Sequence, residues 1–227
     1  MIPKKIHYCW FGRNPLPADV EKYIETWRRF LPDYEIKQWN EDNFDVNSMP
    51  YTREAYAMGA MAFVTDVVRL HALHTEGGIY FDSDVEVLKS FDPYLADGVF
   101  TGMQGDMPVT AVIASEPGRE WIGRWLAYYD KRHFVTPWGH PDRTPNTRTY
   151  VETVLPSVPE SERPKVYPHE VFCAKDYATG RVDVKPETVA IHHFAASWRK
   201  RRSLWSRIRT IARGLAVRYG RGRIKDC

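Results

Sequence analysis

In Glu76-Gly77-Gly78-Ile79-Tyr80-Phe81-Asp82-Ser83-Asp84-Val85 a helix end, a short strand and two carboxylates follow one another within ten residues. The glycine pair stops the preceding helical pattern, because glycine takes the left-handed conformation that closes helices. Ile79, Tyr80 and Phe81 have no polar break, as in a strand covered on both faces. Such a strand delivers Asp82 and Asp84 at its carboxyl end. In an extended chain, residues i and i+2 point the same way, roughly 6.5–7 Å apart at Cα. Two acids so placed repel each other and lose hydration, so neutralising one of them relieves the pair and a positive group belongs beside them. A divalent cation with oxygen ligands, Mg²⁺ or Mn²⁺, satisfies both acids and leaves positions for phosphate. Asp-x-Asp after a strand is equally the content of a solvated turn, so the surroundings have to decide.

Upstream, Phe63-Val64-Thr65-Asp66-Val67-Val68-Arg69-Leu70 places Asp66 and Arg69 at i, i+3 on a helix, where they share a face. Alone, that pair is an ordinary surface ion pair of little worth. Asp66-x-x-Arg69 followed by Gly77-Gly78-Ile79-Tyr80-Phe81-Asp82-Ser83-Asp84 resembles the DXD sugar-binding region of glycosyltransferase family 32. That family includes Golgi mannosyltransferases and bacterial capsular or lipopolysaccharide sugar transferases, with the large glucosylating toxins as wider relatives. Ile2-Pro3-Lys4-Lys5-Ile6-His7-Tyr8-Cys9-Trp10-Phe11-Gly12 is similar to the family's opening motif, and His192-His193-Phe194-x-x-Ser197-Trp198 to its closing one. The three motifs span most of residues 1–198.

The resemblance implies a GT-A-type α/β fold and a metal-dependent, retaining transfer of a sugar from a nucleotide donor to a hydroxyl acceptor. It implies that Asp82 and Asp84 hold Mn²⁺ or Mg²⁺, that Asp66 contacts the donor ribose or sugar, and that Arg69 orients the sugar or diphosphate. Tyr80 is implied near the diphosphate or sugar, or else is a buried strand tyrosine, and Trp10 is either a stacking partner for the base or a core tryptophan. Gln104 and Asp106, in the loop between two later strands, face the donor sugar or the acceptor on this reading. Ser197 and Trp198 are implied to hydrogen-bond the β-phosphate. A late histidine is implied as a further metal ligand; because alternate strand residues point oppositely, either His192 or His193 faces the metal, with His192 preferred. Where the family shows Thr-Gly-Pro, this chain has Thr144-Pro145-Asn146, in a loop over residues 134–148 expected above the site.

With 227 residues and 43% hydrophobic content, residues 1–198 are read as one domain with a sizeable core. There is no run of 18 apolar residues and no signal peptide ahead of the first strand. Cys9, Cys173 and Cys227 are too scattered for a disulfide framework or a zinc site, which points to a reduced cytoplasmic compartment. The formal charge of +3 hides an asymmetry: residues 199–227 hold 11 of the 32 basic residues and only one of the 29 acidic ones, so residues 1–198 carry a net −7. In that tail Leu204, Ile208, Ile211, Leu215 and Tyr219 recur at helical spacing, with Trp205 beside them and arginines around the rest. A basic amphipathic helix of this kind lies in an anionic membrane interface, or else docks on the acidic body of its own protein.

Along the chain, the pattern predicts strands at 5–11, 34–39, 79–81, 85–88, 99–103, 109–114 and 189–194. It predicts helices at 20–31, at 52–75 with an interruption near Gly59, and from Trp121 to Tyr129. Strands alternating with helices give an α/β domain with a mainly parallel sheet. With the resemblance, the expected function is a sugar transferase for capsule or lipopolysaccharide synthesis, using a UDP-sugar and a glycan or lipid-linked oligosaccharide acceptor. It would be peripheral on the inner face of the cytoplasmic membrane and have no nucleic-acid partner. Two alternatives remain. A phosphatase of the haloacid dehalogenase class also places Asp-x-Asp after a strand, although there the second acid precedes a small residue and threonine rather than Val85-Glu86. A non-catalytic nucleotide-binding protein would keep the fold without turnover.

Overall fold

The computed structural model describes residues 1–195 and 204–220, apart from the side chains of residues 109, 110 and 204–209. The chain opens with β1 (Lys5–Cys9), α1 (Ala18–Phe30) and β2 (Glu35–Trp39), a right-sized β-α-β unit in which β1 and β2 are parallel, with Ile6 opposite Ile36 and Cys9 opposite Trp39. Val20, Ile24 and Trp27 form the buried face of α1. Two helices follow, α2 (Pro50–Ala57) and α3 (Met61–Glu76), separated where Gly59 takes φ 68°. Then come β3 (Gly78–Phe81), β4 (Val85–Val87), the hairpin β5 (Val99–Gln104) and β6 (Met107–Ser115), and α4 (Glu120–Ala127). The short α5 (Asn146–Thr149), β7 (Lys165–Tyr167), α6 (His169–Phe172), β8 (Ala190–His192) and α7 (Leu204–Tyr219) complete the described chain.

Six strands form one sheet in the order β2-β1-β3-β6-β5-β7, and β4 pairs with β8 in a second, two-stranded sheet. Three of the five pairings in the main sheet are parallel and two, β3–β6 and β5–β6, are antiparallel. This is an α/β architecture with a mainly parallel sheet between helical layers, as expected. Gly78 is required where β3 meets β1: its φ is 108°, and a Cβ there would lie 2.6 Å from the Lys5 carbonyl oxygen. On one side of the sheet, Trp27, Phe81, Phe91, Phe100 and Phe172 are buried together; on the other, α3 and α4 supply Val64, Val67, Trp121 and Trp125.

Two features of this framework aim the site. From the start of β1 and the middle of β2, Lys5 and Lys37 both donate to Glu76, at 2.7 and 2.5 Å, which ties the end of α3 to both strands. On the far side of the chain reversal after β3, α1 receives β4: Trp27 Nε1 donates to the Val85 carbonyl at 2.8 Å and the Val87 amide donates to Thr26 at 3.0 Å. One edge of β4 is thus capped by a helix and the other is paired with β8, which fixes where Asp84 and His192 meet.

Candidate active site

Asp82 and Asp84 do not stand on an extended strand end. The Val85 amide donates to the Asp82 carbonyl at 3.0 Å, so Asp82-Ser83-Asp84-Val85 is a tight turn from the main sheet into β4. The extended-chain geometry expected for the two acids is corrected accordingly: the chain must change sheets here, and a turn is the shortest way. The carboxylates still converge. Ligand atoms of Asp82, Asp84 and His192 all lie within 4.8 Å of one another, the group of this kind found among the described residues.

β8 brings His192 to Asp84 because Val85 pairs with His192 in the antiparallel register. His192 Nε2 stands 3.2 Å from Asp84 Oδ1, and its Nδ1 lies 4.0 Å from Cys173 Sγ. The Ala195 amide donates to Asp84 Oδ2 at 2.7 Å. To reach there the backbone passes through Phe194 at φ 55°, a conformation rare for an aromatic residue and of the kind that clusters at functional sites. Burial works against charge on His192, but its hydrogen bonds to Asp84 and Cys173 and the nearby acids raise its pKa to about 10. Asp84 moves the other way: burial favours its neutral form, and the His192 and Ala195 contacts overcome this and lower its pKa. His193, the alternative ligand, is turned away. Its Nε2 sits 2.8 Å from Glu86 and its ring stacks on Tyr23 at 4.8 Å, as strand alternation requires once His192 faces the acids.

Behind the acids lies a buried layer from α3 and β3. Arg69 is 5% exposed and bridges Asp66 at 3.0 Å to Asp82 at 3.4 Å. Its guanidinium lies 4.6 Å from the centre of the Tyr80 ring, and the Tyr80 hydroxyl donates to Asp82 at 2.8 Å. Burial would weaken the Arg69 charge, but Asp82 and Asp66 around it raise its pKa. This is not a surface ion pair. Burial pushes the Asp66 pKa up to about 6, with Arg69 opposing the rise. Tyr80 is 1% exposed, so it braces Asp82 and Arg69 from beneath and does not present a face to a donor.

Residues to which the sequence pattern gives no specific role complete this layer. Asn146, at the start of α5, is buried and accepts from the Tyr129 hydroxyl at 3.0 Å. Its Nδ2 has no partner within hydrogen-bonding distance, yet lies near enough to Asp66 to favour the ionised acid. The loop carrying it is fastened by Glu54 of α2, fully buried, which accepts from the Val135 amide at 2.9 Å and pairs with His133 at 2.6 Å. Nothing in Arg53-Glu54 distinguishes it from a solvated helix face; only burial reveals it. Cys173 was read only as a scattered cysteine, and its place behind His192 depends on the path of α6.

Trp10 is half-buried at the end of β1, donating from Nε1 to the Asn14 carbonyl at 2.8 Å. It lines a cleft of about 260 Å³ with Arg13, Gln38, Asn40, Glu41 and Asp42, at the carboxyl ends of β1 and β2. Gln104 and Asp106 sit at the β5–β6 turn, where the Gly105 amide contacts His169 at 3.4 Å. Because Phe81 pairs with Val112, this turn projects beyond the end of β3, on the side of the sheet where Asp82 lies. No contact joins it to the acid cluster among the described residues. Ser197 and Trp198 fall outside the described residues.

Residues 17–101 match the family model described as a glycosyltransferase sugar-binding region containing a DXD motif. The chain is 33% identical over 96 residues to Glucan organizing enzyme 1 of Cryptococcus neoformans var. grubii, a match covering 34% of this chain and 26% of that protein. It is 31% identical over 110 residues to Inositol phosphoceramide mannosyltransferase 3 of Schizosaccharomyces pombe, covering 41% of this chain and 27% of that protein. The match therefore spans about a quarter of each curated relative. Among solved structures, a glycosyltransferase involved in the glycosylation of the major capsid of PBCV-1 is similar with TM-score 0.49 and 16% identity, covering 85% of this chain and 94% of that one. The PaToxG glycosyltransferase is similar with TM-score 0.46 and 20% identity, covering 56% and 59%. Residues 17–101, with Asp66, Arg69, Asp82 and Asp84 inside them, are thus similar to the glycosyltransferase sugar-binding region that contains a DXD motif.

Proposed function

We propose that this protein transfers a sugar, with retention, from a UDP-sugar to a hydroxyl of a glycan or lipid-linked oligosaccharide during surface polysaccharide synthesis. The observation that carries the reading is the convergence of Asp82, Asp84 and His192 in front of a buried Arg69. Two carboxylates and an imidazole suit Mn²⁺ or Mg²⁺, with the imidazole favouring Mn²⁺. When bound, the ion supplies positive charge for the departing diphosphate. Arg69 adds a fixed, planar cation held by Asp66 and Asp82, and so needs no reorganisation as charge develops. Asp66 offers an acceptor for a sugar hydroxyl, and Trp10 a face for the base at the cleft end of β1. A retaining reaction calls for no strong general base, because the leaving phosphate can take the acceptor proton. The name of the S. pombe relative, an inositol phosphoceramide mannosyltransferase, agrees in kind with a lipid-borne acceptor. The basic tail would hold the enzyme to an anionic membrane beside such an acceptor, on its cytoplasmic side.

The test is a thermal-shift panel of nucleotide sugars with Mn²⁺ or Mg²⁺, followed by nucleotide release from whichever donor stabilises the protein. A metal-dependent shift with one donor, and release of its diphosphate, supports the reading. Phosphate-monoester hydrolysis instead would assign the phosphatase alternative, and binding without turnover in the presence of acceptors would assign a non-catalytic protein.

A further inference from the structure

The amphipathic pattern of residues 204–219 makes Leu204, Ile208, Ile211, Leu215 and Tyr219 one apolar face. The structure seats α7 along the edge of that face, with Ile211 and Leu215 beside Gly139 and Gly214 against it. Gly214 is the buried residue of the described part of the helix, flanked by half-buried Thr210, Ile211, Val217 and Arg218. It lies on Gly139, whose φ is 83°; a Cβ at Gly214 would come 2.1 Å from the Gly139 carbonyl oxygen. Arg218 donates to the Val135 carbonyl and the Tyr219 hydroxyl to the Pro137 carbonyl at 3.2 Å. A small-residue seam lets the two backbones approach, and Leu215 and Tyr219 stay exposed beside it.

Trp138 occupies the position between those two contacts. Its neighbour Pro137 accepts from Tyr219, and a Cβ on its other neighbour, Gly139, would meet Leu215 Cγ at 2.8 Å. Trp138 is 71% exposed, Tyr219 61% and Leu215 38%, and the Arg218 guanidinium lies 5.7 Å from the centre of the Tyr219 ring. Three large apolar side chains from two chain segments thus stay in solvent at one place, and the tail that supplies two of them, residues 199–227, carries 11 of the 32 basic residues in its sequence. Amphipathic aromatic rings flanked by cations are matched to the boundary between lipid headgroups and acyl chains. The acidic body, net −7 over residues 1–198, would be repelled from the same surface, so orientation is set as well as binding.

We propose that Trp138, Leu215 and Tyr219, with Arg218 beside them, form one surface that seats in the interface of an anionic bilayer. This rests on the reading of the tail as a membrane partner and adds that the loop tryptophan is part of the anchor. α7 then lies on the membrane with its glycine face on the enzyme, and the loop clasped beneath it continues to Asn146 beside Asp66.

The experiment is co-sedimentation of the full chain with vesicles of phosphatidylcholine alone or with about a third phosphatidylglycerol, at low and high salt. Full-length protein should bind the anionic vesicles in a salt-sensitive way. Trp138→Ala and the pair Leu215→Ser with Tyr219→Ser should each lower the partition coefficient at least about fivefold. Val166→Ala, on the exposed edge strand β7, should leave it unchanged. If the full-length protein does not bind, the membrane reading itself fails and this surface with it. If it binds and Trp138→Ala binds equally, the tail alone is the anchor and the composite surface is wrong. Sedimentation velocity without lipid gives the last outcome: a dimer lost in Trp138→Ala would assign the surface to a second copy and overturn the proposal.

Discussion

His192 Nε2 and Asp84 Oδ1 face each other at 3.2 Å across β8 and β4, with the Ala195 amide on the other Asp84 oxygen. Two neighbouring acids considered alone suggest that neutralising Asp84 would relieve repulsion. The partners reverse that: Asp84→Asn strips His192 and Ala195 of a charged acceptor. The variant should fold but lose roughly 1–3 kcal/mol of stability, the cost of leaving such buried groups poorly paired. It should also lose Mn²⁺-dependent nucleotide binding and transfer. Urea denaturation and donor-binding calorimetry check both halves, and near-normal turnover would remove Asp84 from the site.

Arg69→Lys keeps the charge but not the fork that spans Asp66 and Asp82 over the Tyr80 ring. Transfer should fall at least tenfold, roughly 1.4 kcal/mol in transition-state stabilisation. Because both acids are left short of donors in a buried place, the thermal midpoint should drop too. A variant with unchanged kcat/KM would make the pair purely structural.

Glu76 lies far from the acids and governs acid stability. Burial favours its neutral form, but Lys37 and Lys5 outweigh this and lower its pKa to about 2. A folded-state pKa below the unfolded one stabilises the protein above about pH 4.5 and is lost as pH falls towards about 2. Glu76→Gln should therefore cost on the order of 1–2 kcal/mol near neutrality. The gap from wild type should close as urea unfolding is repeated from pH 5 down to about 3; a constant gap would mean the charge is not the cause.

Gly214→Ala tests the seam beneath α7. A methyl group there meets the Gly139 carbonyl, which is backbone and cannot rotate away. The helix should lift from the loop at a cost of roughly 1–3 kcal/mol, typical of overpacking. Hydrogen exchange should rise in residues 210–219 and in residues 133–140 together; protection unchanged in both would show that α7 does not depend on this contact.

Much of the main sheet and the order of its helices could be read from local pattern. Ile79-Tyr80-Phe81 is a buried strand because nothing in it can face water, and Gly77-Gly78 ends α3 because only glycine takes those backbone angles next to β1. Val20, Ile24 and Trp27 recur at helical spacing and are buried on one face of α1. Asp66 and Arg69 are juxtaposed by helix geometry alone, and strand alternation alone separates His192 from His193. These are consequences of periods of 3.6 and 2, which sequence carries directly.

What periodicity does not carry is which distant segments share a dielectric environment. Glu54 looks like any charged helix residue until packing buries it. Cys173 reaches His192, and Asn146 reaches Asp66, through contacts between segments 19 and 80 residues apart. The seating of α7 was decided the same way. The contact centres on Gly214, at the edge of the apolar stripe beside Ile211 and Leu215, because backbone approach needs the absence of side chains, and Gly214 meets a second glycine at residue 139 only once the chain has folded. Hydrophobic pattern says which residues gain from leaving water; close packing, which depends on the partner's shape, settles which of them do.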